Sequence, residues 1–347
     1  MLGKNIKYYR LLNGMTISTL AERVGITKMA ISHYENGLRK PDIGTLRAIA
    51  DVFGIGIAKL LAQHSGSLSF SHGPFRKNTN LKVSVQDLVQ ESVEQYCSRF
   101  MAVVDILGDR TLPDIPSCGN MHLTDDDEVN GKQMREWLGL SIAGPVCNLV
   151  MTLENAGFVV VKAAIDDRKF SGISGFVNNR PYIVVNSRMN PERQRSTIAH
   201  ELAHLCFKWP SGIDGDECEK RANSIMGAFL FPREDAIREL GIRRSSVGRD
   251  MELVAKEYGI SMLLLFMRAK IAGIITKNEY SDIMIGASRM GWRKDEPSRI
   301  AEEKATLFEQ LTYRAVAEGE VSVQKGAELL ERPFSEVERV CYLYGGQ

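Results

Sequence analysis

The chain has 347 residues, which is enough for two or three domains and excludes a single small module. Its 44% hydrophobic and 25% charged residues are typical of an ordinary globular protein and exclude a disordered or collagen-like chain. Because 44 basic side chains face 43 acidic ones, the net charge is only +1, so any surface that attracts nucleic acid has to be local. Six cysteines without a CxxC pair argue against a zinc ribbon or a redox pair.

No targeting or membrane segment is expected. The first residues, MLGKNIKYYR, carry charges where a signal peptide needs an apolar stretch. The longest apolar run, Met262 to Met267, is far shorter than the roughly 18 residues of a membrane span. We therefore expect a cytoplasmic protein with no membrane partner.

The first 65 residues contain a local basic block with a helix-turn-helix pattern. This block holds nine Lys and Arg against four Asp and Glu, a net charge of +5. In TISTLAERVGITKMAISHYEN, Thr16 and Thr27 can each cap a helix, and Gly25 supplies the turn between the two helices. DNA contacts are then expected from the cap and exposed face of the second helix and from the loop after it: Thr27, Lys28, Met29, Ser32, His33, Arg39 and Lys40.

This block resembles the Xre and Cro-type repressor domain, and the match continues through ENGLRKPDIGTLRAIADVFGI. The resemblance implies five helices over residues 1–65 and a double-stranded DNA operator as partner. Where that family usually carries glutamine at the second position of the first motif helix, this chain has Ile17, which removes one polar contact to the DNA backbone. The alternative is a helical bundle that serves dimerisation or protein binding.

After the basic block, the stretch over residues 66–82 is rich in Ser, Gly and Asn and reads as a linker. Apolar spacing predicts a long helix from Val83 to Ile106, and Gly144 with Pro145 interrupts the helical pattern that follows. Three runs bounded by turn residues then predict a small, antiparallel sheet: Phe158 to Ala163, Gly172 to Val177 and Tyr182 to Asn186. From Pro191 onward the chain is predicted to be mostly helical.

The helix that begins near Pro191 contains the motif HELAH. Because residues four apart lie on one helix face, His200 and His204 can bind one zinc ion, with Glu201 directed toward its open position. The alternative is a polar patch on an amphipathic helix. No third histidine follows at the HxxGxxH spacing, so a carboxylate is expected as the third ligand.

The next helix, DECEKRANSIMGAFLFP, offers three carboxylates, Asp216, Glu217 and Glu219. We favour Glu219 because Asn223 lies one turn later on the same face, where it could hydrogen-bond a ligating imidazole. Glu217 is the alternative ligand.

HELAHL together with ExxANxxxxxxLxP resembles the ImmA/IrrE metallopeptidase family, as do GFVNNRPYIVVNSRMNPERQRSTIAHELAHL and the later GWRKDEP. The resemblance implies that His200, His204 and Glu219 bind Zn²⁺ and that Glu201 is the general base. It also implies an α+β, mainly helical chain with a minimal gluzincin-like peptidase domain. We place that domain at residues 83–232 and a helical C-terminal region at 233–347.

Three further expectations are less specific. An extended substrate could pair with the sheet edge at Gly172 to Val177. His72, Tyr182 and Tyr258 are available to stabilise an oxyanion. LVAKEYGIS, from Leu253 to Ser261, echoes LAERVGIT and predicts a second helix-turn-helix-like unit, for which we favour a structural or dimerising role over DNA contact.

The function expected from these features is a DNA-binding transcriptional regulator with a zinc-dependent endopeptidase domain. In the ImmA/IrrE family the peptidase typically cuts a cognate repressor, so a repressor protein is the expected substrate. The alternative is a non-proteolytic regulator or antitoxin-like protein whose metal domain senses or binds a partner. A homodimer is compatible with either function.

Overall fold

The computed structural model describes residues 1–62, 68–73, 81–108, 111–244, 246–292, 294, 296–297 and 299–341. They divide into two compact units, one formed by Met1–Leu68, Asn80–Thr111 and Phe308–Gln347, the other by Ser69–Thr79 and Leu112–Leu307. Much of the predicted linker, at residues 66–67 and 74–80, lies outside the described residues.

Helices dominate both units. They are α1 (Leu2–Leu12), α2 (Ile17–Val24), α3 (Lys28–Glu35), α4 (Ile43–Phe53), α5 (Ile57–Leu61), α6 (Val83–Leu107), α7 (Asp127–Trp137), α8 (Leu149–Asn155), α9 (Pro191–Cys206), α10 (Gly215–Leu230), α11 (Arg233–Leu240), α12 (Arg249–Tyr258), α13 (Met262–Ile271), α14 (Lys277–Arg289), α15 (Leu307–Ala317), α16 (Val323–Leu330) and α17 (Phe334–Cys341). The strands are β1 (Phe70–His72), β2 (Met121–His122), β3 (Val159–Ala163), β4 (Gly172–Val177), β5 (Arg180–Asn186) and β6 (Phe207–Lys208). The predicted α+β, mainly helical class is confirmed.

In the first unit, α1 to α5 form the five-helix domain predicted from the basic block. The hydroxyl of Thr16 accepts a hydrogen bond from Thr19 N at 3.0 Å, and that of Thr27 accepts one from Ala30 N at 3.2 Å. Gly25 ends α2 in the left-handed region with φ 76°, where a side chain would be strained. Capping and turn chemistry therefore produce the helix-turn-helix locally. Helix α6, which we had predicted as the start of the peptidase domain, belongs to this first unit instead.

A buried ion pair joins α1 to α3. Arg10 donates from Nε and Nη2 to the two carboxylate oxygens of Glu35, at 2.6 and 2.9 Å, and from Nη1 to the carbonyl of Met15 at 2.9 Å. Their side chains are only 8% and 5% exposed. This bidentate ion pair fixes the packing of α1 against α3, the helix expected to contact DNA.

Replacing Arg10 by alanine should destabilise the five-helix domain by about 3–5 kcal/mol, because Glu35 would be left as a buried, unpaired charge. Hydrogen exchange of the backbone amides in α1 and α3, measured on the full chain by mass spectrometry, would show the loss of protection. Arg23→Ala, at an exposed position of α2, is the matched control. Equal protection in the two variants would contradict the role of the pair.

The second unit contains a four-stranded sheet in the order β1, β4, β5, β3. Strands β4 and β5 pair antiparallel around Asn178 and Asn179, both with positive φ, and β1 pairs antiparallel with β4. Strand β3, however, runs parallel to β5. The prediction of an antiparallel sheet was therefore wrong for this strand. The chain leaves β3, runs back as β4, and reverses again as β5, which lies between the two and so runs in the same direction as β3.

Helix α9 packs on one face of this sheet. Pro191 stands at its first turn and Asn190 caps it, accepting from Arg193 N at 2.9 Å. Ile198 and Leu202 of α9 belong to the same core cluster as Ile183 and Val185 of β5. The sheet thus fixes the orientation of the helix that carries the HELAH motif.

Helices α12 and α13 form the predicted helix-turn-helix-like pair, with Gly259 in the left-handed region between them and Ser261 capping α13. The only arginine of α13, Arg268, is 1% exposed. It donates to the carbonyl of Phe231 and to both carboxylate oxygens of Glu128. Because Arg268 makes these contacts inside the second unit, its charge is not available to DNA. This supports a structural role for the α12–α13 pair over DNA contact.

Among the described residues, no helix combines the length and the apolar character that crossing a bilayer requires.

Candidate functional site

Helices α9 and α10 bring the three expected metal ligands together. Nε2 of His200 lies 3.1 Å from Nε2 of His204. The two carboxylate oxygens of Glu219 lie 3.3 Å from these nitrogens, one oxygen facing each ring. His200 is buried, whereas His204 and Glu219 are partly exposed. The cluster therefore has one closed side and one side open to a cavity.

These separations fit a single zinc ion. Ligand atoms placed tetrahedrally at about 2.0–2.1 Å from zinc lie about 3.3 Å from one another, close to the three observed distances. Of the alternatives on α10, Asp216 and Glu217 are exposed, and neither belongs to the cluster. The geometry thus favours Glu219 over Glu217 as the third ligand. Within the described part of the chain the cluster has three ligands, which would leave a fourth position to water or substrate.

The proposed general base is held by a residue that the sequence did not reveal. The hydroxyl of Ser174 in β4 donates to Oε2 of Glu201 at 2.9 Å, and both residues are only 6% exposed. Gly172 lies beside them, because a Cβ at that position would stand 2.5 Å from Thr197 and 3.7 Å from Glu201. Because side chains alternate along a strand, residues 172 and 174 of β4 share the face toward α9. This alternation could have pointed to Ser174 only if the pairing of the sheet had been known.

Other contacts surround the imidazole of His204. Sγ of Cys218 lies 3.9 Å from its Nδ1, and Trp209 donates from Nε1 to its backbone carbonyl at 3.3 Å. Burial by itself lowers the pKa of His204, but the hydrogen bonds with Cys218 and Glu219 outweigh it and raise the pKa to about 9. Because a ligating imidazole has to be neutral, a divalent cation that binds here would displace this proton.

Asn223 was predicted to support a ligating imidazole. It lies on α10 but is exposed, and no hydrogen bond joins it to either histidine among the described residues. Cys218, five residues earlier on α10, faces His204 instead. The role assigned to Asn223 stays a prediction.

A cavity of about 460 Å³ adjoins the metal cluster. Its lining includes Glu201, His204, Glu219 and Trp209, together with residues of β4 and of the segment at Ser71 to Gly73. The cavity therefore lies between the candidate metal ligands and one edge of the sheet.

The candidates for oxyanion stabilisation do not converge on this cluster. His72 and Tyr182 are both in register with Gly175, so their side chains project from the sheet face opposite to Ser174 and α9. Tyr258 is 1% exposed and accepts a hydrogen bond from Arg238 at 2.7 Å. Of the three, His72 alone belongs to the lining of the cavity beside the cluster, and its role stays a prediction.

The expected edge for substrate pairing is also occupied. We had predicted that Gly172–Val177 would be free to pair with an extended substrate, but β1 of the same chain pairs with residues 175–177 of this strand. The sequence could not show this, because β1 is three residues long and lies in a stretch with linker composition.

On the first unit, the residues predicted to contact DNA are spread along α3, from its N-cap to its second half, and continue into the loop after it. Thr27 caps the helix, and its neighbours Lys28 and Met29 are exposed, the latter by 68%. Ser32 and His33 are half-buried, and Arg39 and Lys40 are exposed in the loop. Ile17 at the start of α2 packs against the core of the unit, which explains how an apolar residue is tolerated at this position.

Comparison with known proteins gives two family matches. Residues 6–60 match a family model described as helix-turn-helix, and residues 153–270 match a peptidase family model described as IrrE N-terminal-like domain. The second match extends beyond residue 232, where we had predicted the peptidase domain to end.

One curated relative is the uncharacterized HTH-type transcriptional regulator YqaE of Bacillus subtilis (strain 168), which is 33% identical over 70 residues. That alignment covers 20% of this chain and 60% of the relative, so the chain spans less than two thirds of the protein it matches. The chain is thus similar to a helix-turn-helix family over residues 6–60 and to an IrrE-like peptidase family over residues 153–270.

Proposed function

We propose that the chain is a DNA-binding transcriptional regulator with a zinc-dependent endopeptidase site that cleaves a repressor protein. The observation that carries the peptidase assignment is the cluster of His200, His204 and Glu219 at tetrahedral separations, with Glu201 beside it. A purely structural zinc site is normally closed by a fourth protein ligand and needs no base.

Each residue of the candidate site has a distinct role in the proposed reaction. His200, His204 and Glu219 would hold the ion. Zinc, when bound, polarises a substrate carbonyl and makes water more acidic. Glu201, oriented by Ser174, would accept a proton from the attacking water and return it to the leaving amine. The adjoining cavity offers room for the peptide around the cleaved bond.

Incubation with candidate repressors tests this function. The purified full chain, loaded with zinc, should cut one of the repressors encoded beside its gene at a single site, and a chelator should abolish the cut. If all such repressors stay intact while the chain binds zinc and DNA, the metal domain senses or binds a partner without proteolysis.

The DNA-binding part of the proposal rests on the exposed residues of α3 and of the loop that follows it. Lys40→Ala should weaken binding to the protein's own promoter and reduce the slope of log affinity against log salt by about 1, because one phosphate contact is lost. Electrophoretic mobility shifts over a salt series would measure this. Lys132→Ala, an exposed lysine of α7, should leave the slope unchanged. A change of equal size in both variants would contradict the proposed contact.

A further inference from the structure

Strand β1 is a short segment of the chain added to the edge of the sheet. Phe70, Ser71 and His72 pair antiparallel with Val177, Phe176 and Gly175, respectively. The pairing continues at both ends, with Gly73 N donating to the carbonyl of Ser174 at 2.8 Å and Asn178 N donating to the carbonyl of Ser69 at 2.9 Å. Without β1, the hydrogen-bonding groups of β4 on this side would be available to another extended chain.

The C-terminal end of β1 lies beside the candidate catalytic residues. Gly73 bonds the backbone of Ser174, whose hydroxyl bonds Glu201. Ser71 and Gly73 also line the same cavity as Glu201 and Glu219. A strand at this edge therefore leads a polypeptide directly to the proposed base and metal ligands.

A side-chain contact on the opposite face holds β1 in place. Nδ1 of His72 lies 2.6 Å from the hydroxyl of the fully buried Tyr182. The tyrosine reaches across Gly175, where a Cβ would stand 2.5 Å from its hydroxyl and 2.4 Å from the carbonyl of Ser71. Glycine at this position thus permits both the close approach of β1 and the contact between the two side chains.

We propose that β1 is an internal competitor for the substrate: it occupies the edge of β4 on which an extended segment of the protein substrate binds, and it must leave before substrate binds. The partner that this edge fits is an extended peptide, which adds to a sheet by backbone hydrogen bonds. This inference rests on the proposed peptidase function. Since β1 has only three residues, few hydrogen bonds oppose its release.

Loosening β1 tests the competition. Because hydrogen-bonded pairs alternate along antiparallel strands, the N–H of Ser71 points to β4 as that of Gly73 does, and Ser71→Pro removes it. Ser71→Ala keeps the N–H and loses only an exposed hydroxyl, so it is the matched control. The probe is a fluorescein-labelled peptide LSFSHG, the sequence of residues 68–73, added to the full chain in the presence of a chelator.

The proline variant should bind this peptide at least about 10-fold more tightly than the wild type and the alanine variant do. In the proline variant most molecules would have β1 released and the edge of β4 open, whereas in the other two proteins only a minor fraction would. Fluorescence anisotropy would give the affinities, and circular dichroism would confirm that the variant is folded. Equal affinity of the three folded proteins would overturn the proposal.

A reversible crosslink gives the opposite test. Phe70 and Val177 face each other at a non-hydrogen-bonded pair, where Cα atoms approach most closely, so Phe70→Cys with Val177→Cys can form a disulfide across β1 and β4. The oxidised protein should neither bind the peptide nor cut a repressor, and reductant should restore both. The two single cysteine variants are the controls. Undiminished peptide binding by the oxidised protein would also overturn the proposal.

Peptidase activity and the release of β1 are distinguished by different measurements. If the chain has no peptidase activity, no repressor is cut by any variant, but the differences in peptide binding remain. If β1 is only a structural edge strand, the peptide affinities of the variants are equal whether or not a repressor is cut.

Discussion

Replacing Glu201 by glutamine should lower the rate of peptide cleavage by about 10² to 10⁴, the contribution expected of a positioned general base. Glutamine keeps the shape of the side chain and leaves His200, His204 and Glu219 in place. Zinc binding and promoter binding should therefore survive, whereas the attacking water loses its proton acceptor. Cleavage of the repressor, zinc content and promoter affinity are measured on the same preparation.

Glu217→Gln is the matched control, because Glu217 is an exposed glutamate outside the metal cluster. It should cleave the repressor at the rate of the wild type. In cells, Glu201→Gln should keep the target promoter in its uninduced state if cleavage removes a repressor. Normal induction by the Glu201 variant would refute the peptidase function and leave the non-proteolytic regulator as the better account.

Replacing Glu219 by alanine should weaken zinc binding by more than the 10–100-fold that loss of a group supporting a ligand costs, because a ligand itself is removed. The two imidazoles that remain, His200 and His204, are insufficient for a stable site. Titration of the metal-free full chain with zinc against a fluorescent chelator gives the affinity directly.

Glu217→Ala serves as the comparison on the same helix. Its zinc affinity should equal that of the wild type, since the carboxylate is exposed and lies outside the cluster. If zinc binding were lost in the Glu217 variant and kept in the Glu219 variant, the third ligand would have to be reassigned.

Two parts of this protein were readable from local sequence alone. The helix-turn-helix follows from groups only a few residues apart, namely the caps Thr16 and Thr27 and the turn at Gly25. The pairing of His200 with His204 follows from the helical repeat, which brings residues four apart to one face. In both cases the energetics that determine the geometry lie within one or two turns of helix.

Only the tertiary structure decided which distant groups join them. The approach of Glu219 to the histidines depends on the packing of α10 against α9, and the contact of Ser174 with Glu201 depends on which face of β4 meets that helix. The parallel course of β3 and the addition of β1 to the sheet depend on where the chain returns, and β1 is too short to show a strand periodicity. Local propensity does not predict such long-range pairings, because the hydrogen bonds and the burial that stabilise them exist only once the chain has folded.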